Sequence, residues 1–115
     1  MGDANLSVEE SNFEGKSVLV LTGDIDAKTA PVLKEALEKR IAAGQTVFIL
    51  NFSGVSYISS AGIGVLNAAL TLVKGKGGDI VLAGVSPVVR DTMEVMYFTK
   101  KIRLYKSVPD AAKSL

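Results

Sequence analysis

The chain has 115 residues, of which 48% are hydrophobic and 22% are charged, a profile typical of one soluble globular domain. The 13 basic and 12 acidic side chains leave a net charge of +1, so we expect no nucleic-acid partner. The absence of Cys and His excludes thiolate nucleophiles, cysteine zinc sites and imidazole bases. No signal peptide and no membrane-spanning apolar run is visible, which predicts a single cytoplasmic domain over 1–115 without membrane insertion.

Strands and helices are predicted to alternate along the chain. In chain order, the predictions are a strand within 16–26 that is stopped by Gly23, a helix over 27–44, a strand over 45–54, a helix within 60–78 that is ended by the cluster of Gly75, Gly77 and Gly78, a strand over 79–84, a helix over 86–98, a strand over 101–105 and a short closing helix over 108–115. Residues 5–13 are a candidate edge strand. This alternation predicts an α/β fold, with a mixed, mostly parallel sheet of four to five strands and about four helices.

Apolar spacing supports the helices, and unbroken apolar runs support the strands. The run from Val18 to Leu21 is typical of a strand that is buried on both faces. Each predicted helix carries one apolar stripe: Leu33, Leu37 and Ile41 with Ala36 alongside in the first, Ile63, Leu66, Ala69, Leu70 and Val73 in the second, and Val89, Met93 and Met96 in the third. Ser86 is the predicted cap of the third helix.

Two loops that follow buried strands have unusual content. In α/β sheets, ligands and partners meet such strand-to-helix loops. The first is "GDIDAKT" (23–29), and the second is "NFSGVSYISSAGIG" (51–64). Ser59 or Ser60 lies at the junction with the second helix, where a hydroxyl caps free backbone N–H groups. Residue types alone therefore favour a capping role for this pair.

Nucleotide and hydrolase motifs match the second loop poorly. "GIGVLN" contains G-x-G, but Asn67 replaces the third glycine of a dinucleotide fingerprint, and Asp79 begins the next strand instead of ending it. The chain has no G-K-[ST] phosphate loop and no G-x-S-x-G elbow. Nucleotide binding remains as a minor alternative, and we expect no cofactor.

The first loop offers a pair of carboxylates, Asp24 and Asp26. Paired carboxylates can bind a divalent metal or perform acid–base chemistry. Without a third ligand, the favoured interpretation is that Asp26 caps the helix beginning near Ala27 and that Asp24 is solvated. We therefore expect no metal site and no catalytic residue.

These residues resemble the STAS domain of bacterial anti-sigma factor antagonists over nearly the whole chain, from about Leu6. The resemblance rests on "GDID", on "NFSGVSYISSAGIGVL" and on the segment from "GGDIVLAGVSP" to "KSVPDA". The positions that match the central family motif are Asn51, Phe52, Ser53, Val55, Tyr57, Ile58, Ser60, Gly62, Ile63, Gly64 and Leu66.

The resemblance implies a partner switch without enzymatic activity. Family members bind an anti-sigma factor that is also a serine kinase, which phosphorylates the antagonist and ends binding, and a serine phosphatase reverses the mark. The acceptor serine of the family falls on Ser60. The implied partner contacts are Gly23, Asp24, Asp26, Ser59, Ser60, Ala61, Gly62 and Ile63. Antagonists of this type are often monomeric when free, and pairing through the edge strand is the alternative that the sequence leaves open.

Three positions depart from the family motif. Asn51 and Ser59 replace acidic residues, and Ala61 replaces a Ser or Thr. These departures leave three possibilities open: phosphorylation at Ser60, phosphorylation at Ser59, or a STAS domain that is never phosphorylated. In the last case the chain would be an accessory or scaffold subunit of a signalling complex or a transporter.

Overall fold

The computed structural model describes residues 5–115, which form one sheet with helices on both sides. The strands are β1 (Leu6–Phe13), β2 (Lys16–Gly23), β3 (Val47–Gly54), β4 (Asp79–Ala83) and β5 (Arg103–Tyr105), and the helices are α1 (Ala30–Ala42), α2 (Ser60–Lys74), α3 (Pro87–Val95) and α4 (Val108–Lys113), with a 3-10 turn at Phe98–Lys100. The strands lie in the sheet in chain order. β1 is antiparallel to β2, and the other neighbours are parallel. The predicted α/β fold and its edge strand are confirmed.

The sheet buries apolar side chains on both faces. Its main core lies under α1, α2 and α3, where Leu19, Leu50 and Leu82 face the helices. Its other face carries Val18 and a smaller set of residues that pack on α4. Each fully buried aliphatic side chain stabilises the fold by about 1.5–3 kcal/mol. The run from Val18 to Leu21 is unbroken because successive residues of β2 enter different cores.

The predicted apolar stripes of the first two helices are confirmed. Leu33, Leu37 and Ile41 of α1 are buried, and all five predicted residues of α2 lie in the same core. This packing fixes α2 against α1 and against the sheet, so the start of α2 has a defined position. Within residues 5–115, no helix combines the length and the apolar character that crossing a bilayer requires.

Two predicted helix boundaries are wrong for local reasons. α1 begins at Ala30 and not near Ala27, because residues 27–29 form a separate turn in front of it. α3 ends at Val95, so Met96 leaves the predicted stripe and is 42% exposed. Tyr97 then adopts a left-handed conformation with φ of 59°, and the chain turns so that Phe98 is buried instead.

A tight hairpin positions β1 at the edge of the sheet. Glu14 and Gly15 join β1 to β2 with φ values of 50° and 82°. Two consecutive positive φ values are typical of the type I′ turn that matches the twist of paired strands. The Asn12 carboxamide oxygen accepts from the Gly15 N–H at 3.0 Å. This turn fixes the register of β1 and therefore brings Leu6 opposite Gly23, at the start of the first loop.

Candidate functional site

The two predicted loops meet at the carboxyl edge of the parallel strands. Ile25 and Ile58 form a parallel bridge beyond the ends of β2 and β3. The Ile25 N–H donates to the Tyr57 carbonyl at 2.9 Å, and the Ser59 N–H donates to the Ile25 carbonyl at 2.8 Å. Both isoleucine side chains are buried in the main core. The bridge therefore fixes the first loop directly beside the start of α2.

Asp24 lies in the first loop and contacts the second. Its side chain is exposed, and its carboxylate accepts from the Ser56 hydroxyl at 2.9 Å. Ser56 lies 32 residues further along the chain and is not one of the positions that match the family motif, so no sequence pattern indicated this contact. Within residues 5–115, this is the one side-chain hydrogen bond that the Asp24 carboxylate accepts.

Asp26 stabilises the turn that leads into α1. Its carboxylate accepts from the backbone N–H groups of Lys28 and Thr29 at 2.9 and 3.0 Å. The Thr29 hydroxyl in turn accepts from the Asp26 N–H at 2.9 Å. The pKa of the Asp26 carboxyl is lowered, mainly because the carboxylate accepts the hydrogen bond from the Thr29 N–H. Desolvation has the opposite effect and raises this pKa, but it does not outweigh the hydrogen bonds. The predicted capping role thus applies to the turn 27–29, and α1 itself begins one residue after it.

The two serines at the junction have different positions. Ser59 is the N-cap of α2, and its hydroxyl accepts from the Gly62 N–H at 3.4 Å. Ser60 is the first residue of the helix, and its side chain is exposed. Ser59 is only partly exposed. The capping role that residue types predicted for one of the pair therefore falls to Ser59, and the Ser60 hydroxyl faces solvent.

Five of the eight residues predicted to contact a partner are partly or fully buried, and three of them, Gly23, Gly62 and Ile63, are closely enclosed by neighbouring atoms. A Cβ on Gly62 would lie 2.5 Å from Ile25 Cγ2 and 2.8 Å from Ile58 Cγ1. Ile63 is only 4% exposed and packs in the main core. Gly23 is half-buried, with φ of 121°, and its Cα faces the backbone of Asn5 too closely for any side chain. These residues support the site from beneath, because their burial leaves little of them for a partner to touch.

The outward face of α2 carries no charged side chain before Lys74. Ala61, Gly64 and Ala68 on this face are exposed, and space around Gly64 is open. The groove between this face and α1 has a volume of about 320 Å³. The solvent face of an ordinary amphipathic helix is charged, so this one differs from the expected pattern. Small, uncharged residues therefore extend from Ser60 along α2 to Ala68, and they border a groove whose α1 wall includes Lys34 and Glu38.

The other predicted positions have local roles or no detectable site. The Asn51 carboxamide oxygen accepts from the Ser53 N–H at 3.0 Å and from the Ser53 hydroxyl at 2.7 Å. Within residues 5–115, no group of three or more acidic side chains is placed to hold a metal ion. Asp24 and Asp26, the candidate pair, accept hydrogen bonds from different residues.

Comparison with known proteins identifies this architecture. The family model described as "STAS domain" matches residues 7–111. The chain belongs to the STAS domain family. It is 30% identical over 110 residues to the anti-sigma-F factor antagonist RsfB of Mycobacterium tuberculosis, which covers 93% of this chain and 87% of the relative. It is 34% identical over 83 residues to the anti-sigma-B factor antagonist of Listeria monocytogenes, which covers 71% and 73% of the two chains.

Solved structures share the fold of this STAS domain. An anti-sigma factor antagonist from Mycobacterium paratuberculosis superposes with a TM-score of 0.85 at 24% identity, covering 96% of this chain and 93% of the other. The phosphorylated form of the Bacillus cell fate determinant SpoIIAA superposes with a TM-score of 0.71 at 19% identity, covering 96% and 98%. The order of elements in this STAS domain is therefore the one that these proteins have.

Proposed function

We propose that this STAS domain is an anti-sigma factor antagonist, a binding regulator without catalytic activity of its own. The names of its relatives support this role, since the Mycobacterium and Listeria proteins are both antagonists of anti-sigma factors. The observation that carries the proposal is the exposed Ser60 hydroxyl at the start of α2, beside a neighbour that already caps the helix. The partner is an anti-sigma factor with serine kinase activity.

The partner docks on the surface that surrounds Ser60. The uncharged face of α2, represented by Ala61, Gly64 and Ala68, allows close approach of another protein because no side chain there has a charge to desolvate. Asp24 and Asp26 form the acidic rim of the surface. The bridge between Ile25 and Ile58 keeps rim and helix in one arrangement, so the free protein presents a preformed surface.

Phosphorylation of Ser60 ends binding. The kinase transfers the γ-phosphoryl group of ATP to Ser60 Oγ: an O–P bond forms, the bond to the bridging oxygen of ADP breaks, and the hydroxyl proton is released. The product carries up to two negative charges in the middle of the docking surface. A loss of about 3 kcal/mol of binding free energy weakens the complex more than 100-fold. A serine phosphatase hydrolyses the phosphate ester and restores binding.

The phosphate changes the surface and not the fold. A phosphate at a helix N-terminus gains from free N–H groups and from the helix dipole, so α2 has no reason to unfold. The phosphorylated form of SpoIIAA has the same fold as this chain, which supports the compatibility of a phosphate with STAS architecture. Ser59 is the less suitable acceptor, because its hydroxyl is partly buried and engaged with the Gly62 N–H.

Intact-mass spectrometry after incubation with the cognate kinase and ATP tests the acceptor. We expect the addition of one phosphoryl group to the wild type and to Ser59→Ala, and no addition to Ser60→Ala. A phosphate that Ser60→Ala still acquires would assign the modification elsewhere. An unmodified wild type would favour the alternative, a STAS subunit that is never phosphorylated. The presence of Ser59 where the family has an acidic residue is the observation behind that alternative.

Calorimetric titration of Ser60→Asp with the partner tests the switch itself. The switch predicts a loss of binding by at least about 100-fold. Ser11→Asp is the matched control, because it adds the same charge on exposed β1, towards the opposite edge of the sheet. Unchanged binding by Ser60→Asp would support a constitutive scaffold. Heat on titration with GTP, ATP or NAD would instead support the minor alternative of nucleotide binding.

A further inference from the structure

A shallow cleft of about 170 Å³ opens beside Ser60. One wall is formed by α2, and the other is formed by the segment that connects α3 to β5. The α2 wall includes Ser60, Ile63 and Asn67, and the facing wall includes Met96, Phe98 and Lys101. The Ser60 hydroxyl therefore has a defined neighbourhood on one side, in contrast to the open α2 face on the other.

The polar groups of this cleft suit an anion. Lys101 brings an ammonium group and Asn67 brings a carboxamide, and none of the lining residues is acidic. Lys101 is exposed and forms no ion pair within residues 5–115. The remaining wall is apolar, with Ile63 and Phe98 buried beneath it. An ion pair against such a wall is screened less than one that is surrounded by water.

We infer that Lys101 is the counter-ion of the phosphoryl group that Ser60 carries after modification. This inference rests on the proposed function, since it concerns the phosphorylated state of the same serine. The side chain of Lys101 is long and flexible, and it lines the same small cleft as the acceptor. The ammonium group therefore approaches the phosphate within the cleft and forms a charge-assisted hydrogen bond, with the Asn67 carboxamide as a second donor.

This pairing defines what the partner meets. The phosphate is held on the cleft side of Ser60, against the segment that connects α3 to β5. Phosphorylation changes the charge of the surface by about −2, so the local charge of Ser60 and Lys101 together goes from +1 to about −1. The positive neighbour also favours the dianionic phosphate, and it lowers the second pKa of the phosphoserine.

A phosphorus NMR titration of the protein with phosphoserine at position 60 tests the inference. Phosphoserine is incorporated during translation, so the sample does not depend on a kinase. We expect the second pKa of the phosphate to be higher in Lys101→Gln than in the Lys101 protein, by about half a pH unit or more. Lys100→Gln is the matched control, because it removes the same charge from the adjacent lysine. Lys100 is also exposed but does not line the cleft.

The outcomes are decisive. A rise in the phosphate pKa in Lys101→Gln, without a rise in Lys100→Gln, supports the pairing of Lys101 with the phosphate. Addition of 1 M salt should then reduce the difference in phosphate pKa between Lys101→Gln and the Lys101 protein. Equal pKa values in Lys101→Gln and the Lys101 protein would refute it, as would an equal change in Lys100→Gln. Failure of the proposed function is seen separately, as an unphosphorylated wild type in the kinase assay or as undiminished partner binding by Ser60→Asp.

Discussion

Gly62 and Gly64 lie on the same turn of α2, and the structure predicts opposite effects for the same substitution. A Cβ on Gly62 would lie 2.5 Å from Ile25 Cγ2 and 2.8 Å from Ile58 Cγ1, closer than carbon atoms approach without displacement. Nothing lies within 4 Å of a Cβ on Gly64. Gly62→Ala should therefore destabilise the protein, and Gly64→Ala should stabilise it.

The size of each effect follows from two competing contributions. Insertion of a methyl group into a packed core costs about 1–3 kcal/mol, whereas replacing Gly by Ala in a helix gains up to about 1 kcal/mol. Ile25 and Ile58 cannot yield easily, because both are β-branched, buried and tied together by the bridge. We expect Gly62→Ala to lose about 1–2 kcal/mol and Gly64→Ala to gain about 0.5–1 kcal/mol.

Urea unfolding followed by circular dichroism at the helical band measures both variants. The midpoint and slope yield the free energy of unfolding, and an unchanged slope shows that the unfolded state is comparable. In thermal unfolding, Gly62→Ala should lower Tm by about 4–8 °C. If Gly62→Ala is as stable as Gly64→Ala, α2 does not pack closely on the bridge between Ile25 and Ile58. The preformed surface, which depends on that packing, would then be refuted as well.

Further variants test the other contacts of the site. Asp26→Asn should be less stable than the wild type near neutral pH, because the lowered pKa of Asp26 shows that folding favours its carboxylate. The difference in the free energy of unfolding should shrink as the pH falls through that pKa, which unfolding measured at a series of acid pH values tests. Ser59→Ala should lose about 0.5–1 kcal/mol through the missing cap, whereas Ser60→Ala should change the free energy of unfolding by no more than about 0.5 kcal/mol. Leu66→Ala, at a fully buried position, should cost about 2–5 kcal/mol in the same urea assay. The Asp26 contact would be contradicted if the stability of Asp26→Asn and of the wild type differed by the same amount at every pH. Equal losses in the two serine variants would contradict the cap, and a negligible loss in Leu66→Ala would contradict the packing of Leu66.

The sequence predicted those parts of the fold that depend on local spacing. The stripe of Leu33, Leu37 and Ile41 is buried as expected, because burial along a helix follows its period directly. Met96 continues the stripe of α3 in the sequence but not in the structure. The helix ends one residue earlier, and helical spacing alone cannot indicate where tertiary packing of Phe98 turns the chain away.

The candidate site was predictable in its location but not in its contacts. Both loops follow parallel strands, so their meeting at one edge of the sheet follows from the topology. The hydrogen bond from Ser56 to Asp24 and the bridge from Ile25 to Ile58 join residues that are more than 30 positions apart. They depend on strand register and loop path, which no local pattern encodes. Lys101 was missed for the same reason, because its position beside Ser60 is set by the turn after α3.

The order of the strands has a consequence for how the protein forms. Each strand is hydrogen-bonded to the one synthesised just before it, so none has to be inserted between strands that come later. A nascent chain leaving the ribosome can extend the sheet one unit at a time, starting from the hairpin. Until β3 arrives, however, the edge of β2 that faces away from β1 is open to pairing with another chain, so this stage favours aggregation.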